Sequence, residues 1–474
     1  MELMNANSVE VNNITQTGNG DRAYKSTMSA NLDLFASAGA MRNRPDAAVE
    51  LFRKALAEDD LVAIRCMFYL RDIRGGQGER DLFRKMYASL TDRELKIKLV
   101  KFIAEYGRWD DIFEIELSPR DYSDFLRDQL DRDIVLVNAN KPCSLLAKWM
   151  PSENASSADS RNLARELMAE FRWTPRRYRK TLSAIRKHLS LLEQKMSTNA
   201  WDTVVYDKLP GQAFKKHTKA FKRHDEARFA NFCGAVERGE KKVNAGTVFP
   251  YEIYEMCDQW KHAEAEALWK SLPNYCGNKN AIVVADVSGS MTGRPMAVSV
   301  SLALYFAERN RGPFGGYFMT FDTDSRLMRV EGNTLAEKMN YARRAPWGGS
   351  TNVEAAFKSI LAFAKTSGAK SDEIPQTIYI VSDMQFNSCC TCTSKTMLQR
   401  MKAEYAAAGY KLPTVVFWNV NASDNQPATL ADENTTLISG CSPSTFRYAV
   451  EGKSPMESMW DLLMKSERYK QITI

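Results

Sequence analysis

The chain has 474 residues, 44% hydrophobic and 26% charged, with a net charge of +7. That balance is ordinary for a soluble globular protein, and the length exceeds what one core serves, so two or three domains are expected. No apolar run approaches the roughly 18 residues of a membrane span, and Met1-Glu2-Leu3-Met4-Asn5 lacks the basic-then-apolar order of a signal peptide. Nine cysteines without a framework point to a reducing compartment, so the expected location is cytoplasmic. A monomer is expected.

The first 30 residues carry Asn5, Asn7, Asn12, Asn13, Gly18 and Gly20 with little apolar periodicity. They read as a polar arm, either flexible or tucked against the helices. From 31 to 275 the texture is helical. Val49, Phe52 and Leu56 share a face, as do Ile97, Val100 and Ile103, and Leu82, Phe83, Met86, Tyr87 and Leu90 form another. Leu51-Phe52-Arg53-Lys54 recurs as Leu82-Phe83-Arg84-Lys85, hinting at a helical solenoid of the HEAT or armadillo kind. Arg74-Gly75-Gly76-Gln77-Gly78 reads as an inter-helix turn rather than an RNA-binding tripeptide or phosphate cradle.

Charge is concentrated between Arg172 and Lys242, where 18 Lys and Arg face 7 Asp and Glu. The candidate contacts to an anionic polymer are Arg176, Arg177, Arg179, Lys180, Lys187, Lys215, Lys216, His217, Lys219, Lys222, Arg223, His224 and Arg228. Trp173, Tyr178, Phe214 and Phe221 interleave with them, and cations plus rings suit single-stranded or structured RNA. The plainer readings are a solvated basic face or a patch for an acidic protein.

Residues 278–474 alternate strand and helix, which predicts an α/β domain with a parallel sheet covered on both faces. Strand candidates are Ala281–Ala285, Tyr317–Phe321, Thr377–Asp383 and Thr414–Trp418. Helical stretches fall at Met296–Glu308, Val353–Ala364, Lys395–Ala408 and Met456–Met464. Asp286-Val287-Ser288-Gly289-Ser290 follows the first strand, at the strand end where open α/β sheets place ligands. One carboxylate and two hydroxyls form a hard-oxygen set suited to Mg²⁺ or Mn²⁺. Gly348-Gly349-Ser350-Thr351-Asn352 offers a further hydroxyl at a helix start, with the register between Ser350 and Thr351 open, and Asp383 ends another buried strand. Cys389, Cys390 and Cys392 cluster after it without a second Cys pair or a nearby His, so reduced thiols are expected rather than zinc.

Asp286, Ser288, Ser290, Thr351 and Asp383, in that order, resemble the metal-ion-dependent adhesion site (MIDAS) of von Willebrand factor A (vWA) domains. The resemblance implies that these five are ligands of the ion or of its waters. Phe68–Arg80, Ala213-Phe214, His224–Phe229 and Val243–Pro250 look like the signatures of a Ro-like family, similar in layout to TROVE proteins. There, a ring of HEAT-like helical repeats is closed by a C-terminal vWA domain. The resemblance spans about Leu32 to Trp460 and implies a ribonucleoprotein role, binding misfolded or small non-coding RNA. The metal site would receive an acidic side chain or anion; the alternative is a metal-dependent protein scaffold without RNA.

Catalysis is not expected. The chain lacks a P-loop, a His-Glu-x-x-His motif and a complete Gly-x-Ser-x-Gly elbow. Its four His, at 188, 217, 224 and 262, all precede the α/β segment, and Asp322 and Asp324 read as a strand-end turn.

Overall fold

The computed structural model describes residues 12–259, 261–321, 325–344, 352–387, 396–448 and 453–474. A short antiparallel hairpin comes first, β1 (Ile14–Gln16) with β2 (Arg22–Tyr24). Helices follow: α1 (Ala30–Ser37), α2 (Pro45–Glu58), α3 (Asp60–Arg71), α4 (Arg80–Ala88), α5 (Arg93–Tyr106), α6 (Pro119–Asn138), α7 (Leu146–Trp149) and α8 (Ala158–Phe171). They continue with α9 (Pro175–Leu189), α10 (Leu192–Ser197), α11 (Gly211–His224), α12 (Glu226–Glu237), α13 (Pro250–Asp258) and α14 (His262–Ser271).

Their boundaries follow local chemistry. Pro45 opens α2, where its fixed φ fits and its missing N–H costs nothing, and Asp59 caps α3 by accepting Val62 N–H at 3.0 Å. Helix α3 is buried nearly all round, from Val62 to Arg71, so it is a central helix and not an amphipathic surface one. Its buried Arg71 is matched by Asp111, which accepts from Arg71 Nε at 2.8 Å, Arg84 Nε at 3.0 Å and the Arg108 backbone at 3.0 Å.

The C-terminal half is α/β. Its strands are β3 (Ala281–Ala285), β4 (Tyr317–Thr320), β5 (Leu327–Arg329), β6 (Thr377–Ser382), β7 (Thr414–Asn419) and β8 (Thr435–Ser439). Its helices are α15 (Arg294–Arg309), α16 (Leu335–Arg343), α17 (Val353–Ser367), α18 (Met397–Ala407), α19 (Pro455–Trp460) and α20 (Glu467–Lys470). The sheet order is β5-β4-β3-β6-β7-β8. Every pairing is parallel except β4 with β5, so the sheet is mixed and not wholly parallel as expected. Alternate residues divide between two cores. Val283, Ala285, Tyr379 and Trp418 face α15, whereas Ile282, Val284, Ile380 and Phe417 face α17 and α18. Helices on both faces explain why these strands read as continuous apolar runs.

The core on the α15 side runs without a break into the helical half. At the Arg74–Gly78 turn, Gln77 is fully buried, donating to Tyr69 Oη at 2.6 Å and Thr445 Oγ1 at 3.3 Å. Tyr448 Oη donates to the Gly75 carbonyl at 2.7 Å. A Cβ on Gly76 would lie 1.9 Å from the Tyr69 carbonyl oxygen, so only glycine fits there. The turn is a junction between the two halves. Asp72, fully buried, accepts from Arg468 Nη2 at 2.6 Å and from Tyr469 Oη at 2.9 Å.

Candidate functional site

Asp286 follows β3 directly, at the carboxyl end of the sheet, and is fully buried. Its Oδ1 accepts the Ser288 backbone N–H at 2.9 Å, and its Oδ2 accepts the Ser382 hydroxyl at 2.6 Å. Ser288 and Ser290 hydroxyls are 3.1 Å apart, Ser288 buried and Ser290 exposed, so the oxygen row runs from the interior to the surface. Asp383 follows β6, adjacent in register to β3, and is 2% exposed. Burial pushes the Asp286 carboxyl up to about 6; hydrogen bonds from Ser382 and Ser288 oppose this, and the nearby Asp383 charge adds to it.

Asp286, Ser288 and Ser290 are joined by hydrogen-bond distances, and Asp383 lies near enough for its charge to act on Asp286. Thr351 lies outside the described residues, with Ser350 and Cys389, Cys390 and Cys392. The next described residue, Asn352, caps α17 by accepting Ala355 N–H at 3.0 Å. Ser382 was not anticipated, although a hydroxyl immediately before a strand-end Asp was its visible signal.

The loop after Asp383 is unusual. Met384, buried, has φ +62°, a left-handed conformation that costs a residue with a side chain about 1–3 kcal/mol. Several bonds hold it: Met384 N donates to Ser382 Oγ at 3.1 Å, Gln385 N to Asp383 Oδ1 at 3.1 Å, and Asn425 Nδ2 to the Met384 carbonyl at 3.2 Å.

The donor chemistry fits a hard divalent cation. Two buried carboxylates stand together, and neither pairs with Lys or Arg among the described residues. Buried acids without a countercharge are costly, and a divalent ion would supply that charge. No cluster of three or more His, Cys, Asp or Glu suited to a metal occurs among the described residues, and a hydroxyl-rich pair of acids is unsuited to zinc.

The cationic candidates lie on α9, α11 and the start of α12. The buried stripes Tyr178-Leu182-Ile185 and Phe214-Thr218-Phe221 turn the other side of each helix outward. Arg177, Arg179, Lys215, Lys222 and Arg228 are paired with Asp131, Glu153, Glu252, Glu264 and Asp225. His224 stacks on Trp201 with ring centroids 4.5 Å apart, and His217 is half-buried, with burial holding its pKa below the usual value. Arg176, Lys180, Lys187, Lys216, Lys219 and Arg223 are exposed and form no ion pair among the described residues. The interleaved rings require a correction. Trp173, Tyr178, Phe214 and Phe221 are all buried, Trp173 in the link before α9 and the other three on the inward stripes of α9 and α11, so no base can stack on them. Among the described residues no helix is long and apolar enough to cross a membrane.

Two families of undetermined role match the chain. Residues 280–471 match one described as "Domain of unknown function (DUF7788)", and residues 17–94 and 156–273 match "Domain of unknown function (DUF2828)". "Uncharacterized protein L728" of Acanthamoeba polyphaga mimivirus is 30% identical over 500 residues, covering 95% of this chain and 87% of that protein. With the similarity running through both the helical and the α/β halves, the chain belongs to the family of that mimivirus protein.

Proposed function

We propose that this chain is a non-catalytic binding protein of Ro-like (TROVE-type) layout, in which a HEAT-like helical scaffold carries a vWA-type domain. Its site takes Mg²⁺ or Mn²⁺ and, through the ion, an acidic side chain or other anion from a partner. One observation carries this reading: buried Asp286 and Asp383 stand together beside two serine hydroxyls that lead to the surface, with no protein cation compensating them among the described residues. Asp286, Ser288, Ser290 and Asp383 would hold the ion, with Thr351 following from the resemblance. When bound, the ion supplies an electrophilic docking point for a carboxylate. The protein's own part is to fix the oxygens, through the Ser382 and Ser288 bonds to Asp286, and to leave Ser290 open to solvent. The α/β half contains no His to act as a general base.

Calorimetric titration with Mn²⁺ tests this directly. Binding by the wild type that is lost in Asp286→Ala and weakened in Ser288→Ala is expected. Equal heats in all three would refute the site.

A second reading, RNA binding, is favoured by the six exposed cations that form no ion pair among the described residues. With the rings buried, it would rest on phosphate contacts rather than stacking. Neutralising those six, and comparing structured with unstructured RNA across a salt series, separates RNA recognition from the weak affinity of any basic surface.

A further inference from the structure

The turn of the β1–β2 hairpin is docked on the loop that follows Asp383. Thr17 Oγ1 donates to the Phe386 carbonyl at 2.6 Å, and Asn19 Nδ2 donates to the Gln385 carbonyl at 2.6 Å. Gly18 N donates to Gln385 Oε1, and Gly20 forms an antiparallel bridge with Asn387. Four consecutive residues therefore close on the three that follow the left-handed Met384. A Cβ on Gly18 would sit 2.8 Å from Gln385 Oε1, which shows how close the approach is.

The same hairpin also reaches the start of α17. Asp21, buried, accepts from Arg400 Nη2 at 3.1 Å, and Arg400 Nε donates to Glu354 in the first turn of α17. Glu354 is itself buried and comes three residues after Thr351. One guanidinium thus joins the hairpin to the first turn of α17. Farther along β2, Tyr24 and Gln426 exchange backbone hydrogen bonds of 2.9 and 2.7 Å, fixing the strand against the α/β half.

We propose that the β1–β2 hairpin is a clasp that positions the cation site, holding the Asp383 loop through Thr17 and Asn19 and the start of α17 through Asp21 and Arg400. Its consequence for the metal rests on the reading of that site above; the clasp itself rests on the hydrogen bonds. Positioning groups behind metal ligands set how tightly the ion is held, and their loss weakens affinity on the order of 10-fold or more. A partner that displaced residues 17–21 would loosen both loops together, so the hairpin couples the N-terminal segment to ion occupancy.

The test uses the full chain as wild type, Thr17→Val/Asn19→Ala/Asp21→Asn, and Asn19→Ala alone. The single variant alters an exposed side chain and guards against failure of the triple variant to fold. Amide hydrogen exchange is followed at 384–387 and 353–356, with β7 as an internal reference, and Mn²⁺ affinity is measured in parallel. Exchange in those two segments is expected to accelerate about 10-fold in the triple variant, less in the single, with β7 unchanged. Mn²⁺ affinity should fall on the order of 10-fold. Unchanged exchange in folded variants overturns the clasp. Accelerated exchange with unaltered Mn²⁺ affinity overturns its positioning role. A wild type that takes up no Mn²⁺ refutes the metal reading alone, and the exchange measurement still decides whether the hairpin holds the loop.

Discussion

Replacing Asp286 by Asn should stabilise the metal-free protein at neutral pH, against the usual effect of altering a buried polar residue. The Asp286 carboxyl titrates near 6 in the fold against an ordinary value of 3.8, because burial disfavours the anion. Since the folded value is the higher one, Asp286 contributes its full stability below about pH 4 and loses it as pH rises through 6. At about pH 7.5 the whole penalty applies, and the gap between 6 and 3.8 is worth roughly 3 kcal/mol. Asparagine keeps the volume, still accepts the Ser288 N–H and can donate to the Ser382 hydroxyl, so a gain of about 1–3 kcal/mol is expected. Urea denaturation in chelator at about pH 5 and 7.5 measures it, with the gap between the proteins narrowing at the lower pH. Adding Mg²⁺ should close the gap or reverse the order. An ion at 100 times its Kd stabilises the wild type by about 2.7 kcal/mol and leaves the variant where it was. An Asn variant less stable than wild type at pH 7.5 in chelator would refute the reasoning about the buried charge. Equal Mg²⁺ shifts in both would refute the cation site.

Asp111→Ala should cost about 3–5 kcal/mol in chemical denaturation, because it strands the buried Arg71 guanidinium. A loss under about 1 kcal/mol would mean water reaches that pair. Gly76→Ala forces its new methyl onto the Tyr69 carbonyl, and soluble yield and thermal midpoint should both fall sharply; near-normal values would show that the junction can shift. If RNA is the ligand, neutralising Arg176, Lys180, Lys187, Lys216, Lys219 and Arg223 should flatten the slope of log affinity against log salt by up to about 4, at roughly 0.7 per phosphate. Fluorescence anisotropy measures that slope, and an unaltered value would remove these cations from the interface.

What could be read in the residues depended on how local its cause was. The strands at 281, 317, 377 and 414 announced themselves because both faces of each are buried, leaving unbroken apolar runs. Strand β5 escaped because it is mostly exposed at the sheet edge, and β8 because two threonines open it although both are buried. Asp286, Ser288 and Ser290 were legible because the three lie within one turn of chain, and Asp383 because it directly follows a buried apolar strand. The clasp was not, since Thr17, Asn19 and Asp21 look like any polar arm until tertiary contacts bring them to Gln385, Phe386 and Arg400. The rings at 173, 178, 214 and 221 misled because helical spacing places a core stripe and an exposed stripe equally close in sequence to the cations. Periodicity alone separates them: Tyr178, Leu182 and Ile185 fall on one face.

The bond between Asp72 and Arg468 spans 396 positions. At about 5–20 residues per second, roughly 20–80 s of synthesis separate the two partners. Throughout that interval the end of α3 has a carboxylate destined for burial and no cation or phenol to receive it. The helical half must therefore remain open around Asp72, or shelter under a chaperone, until the far segment emerges. Burial of Asp72 is complete only once the segment around Arg468 has emerged, and slowing translation between the halves would lengthen the vulnerable period without touching the finished fold.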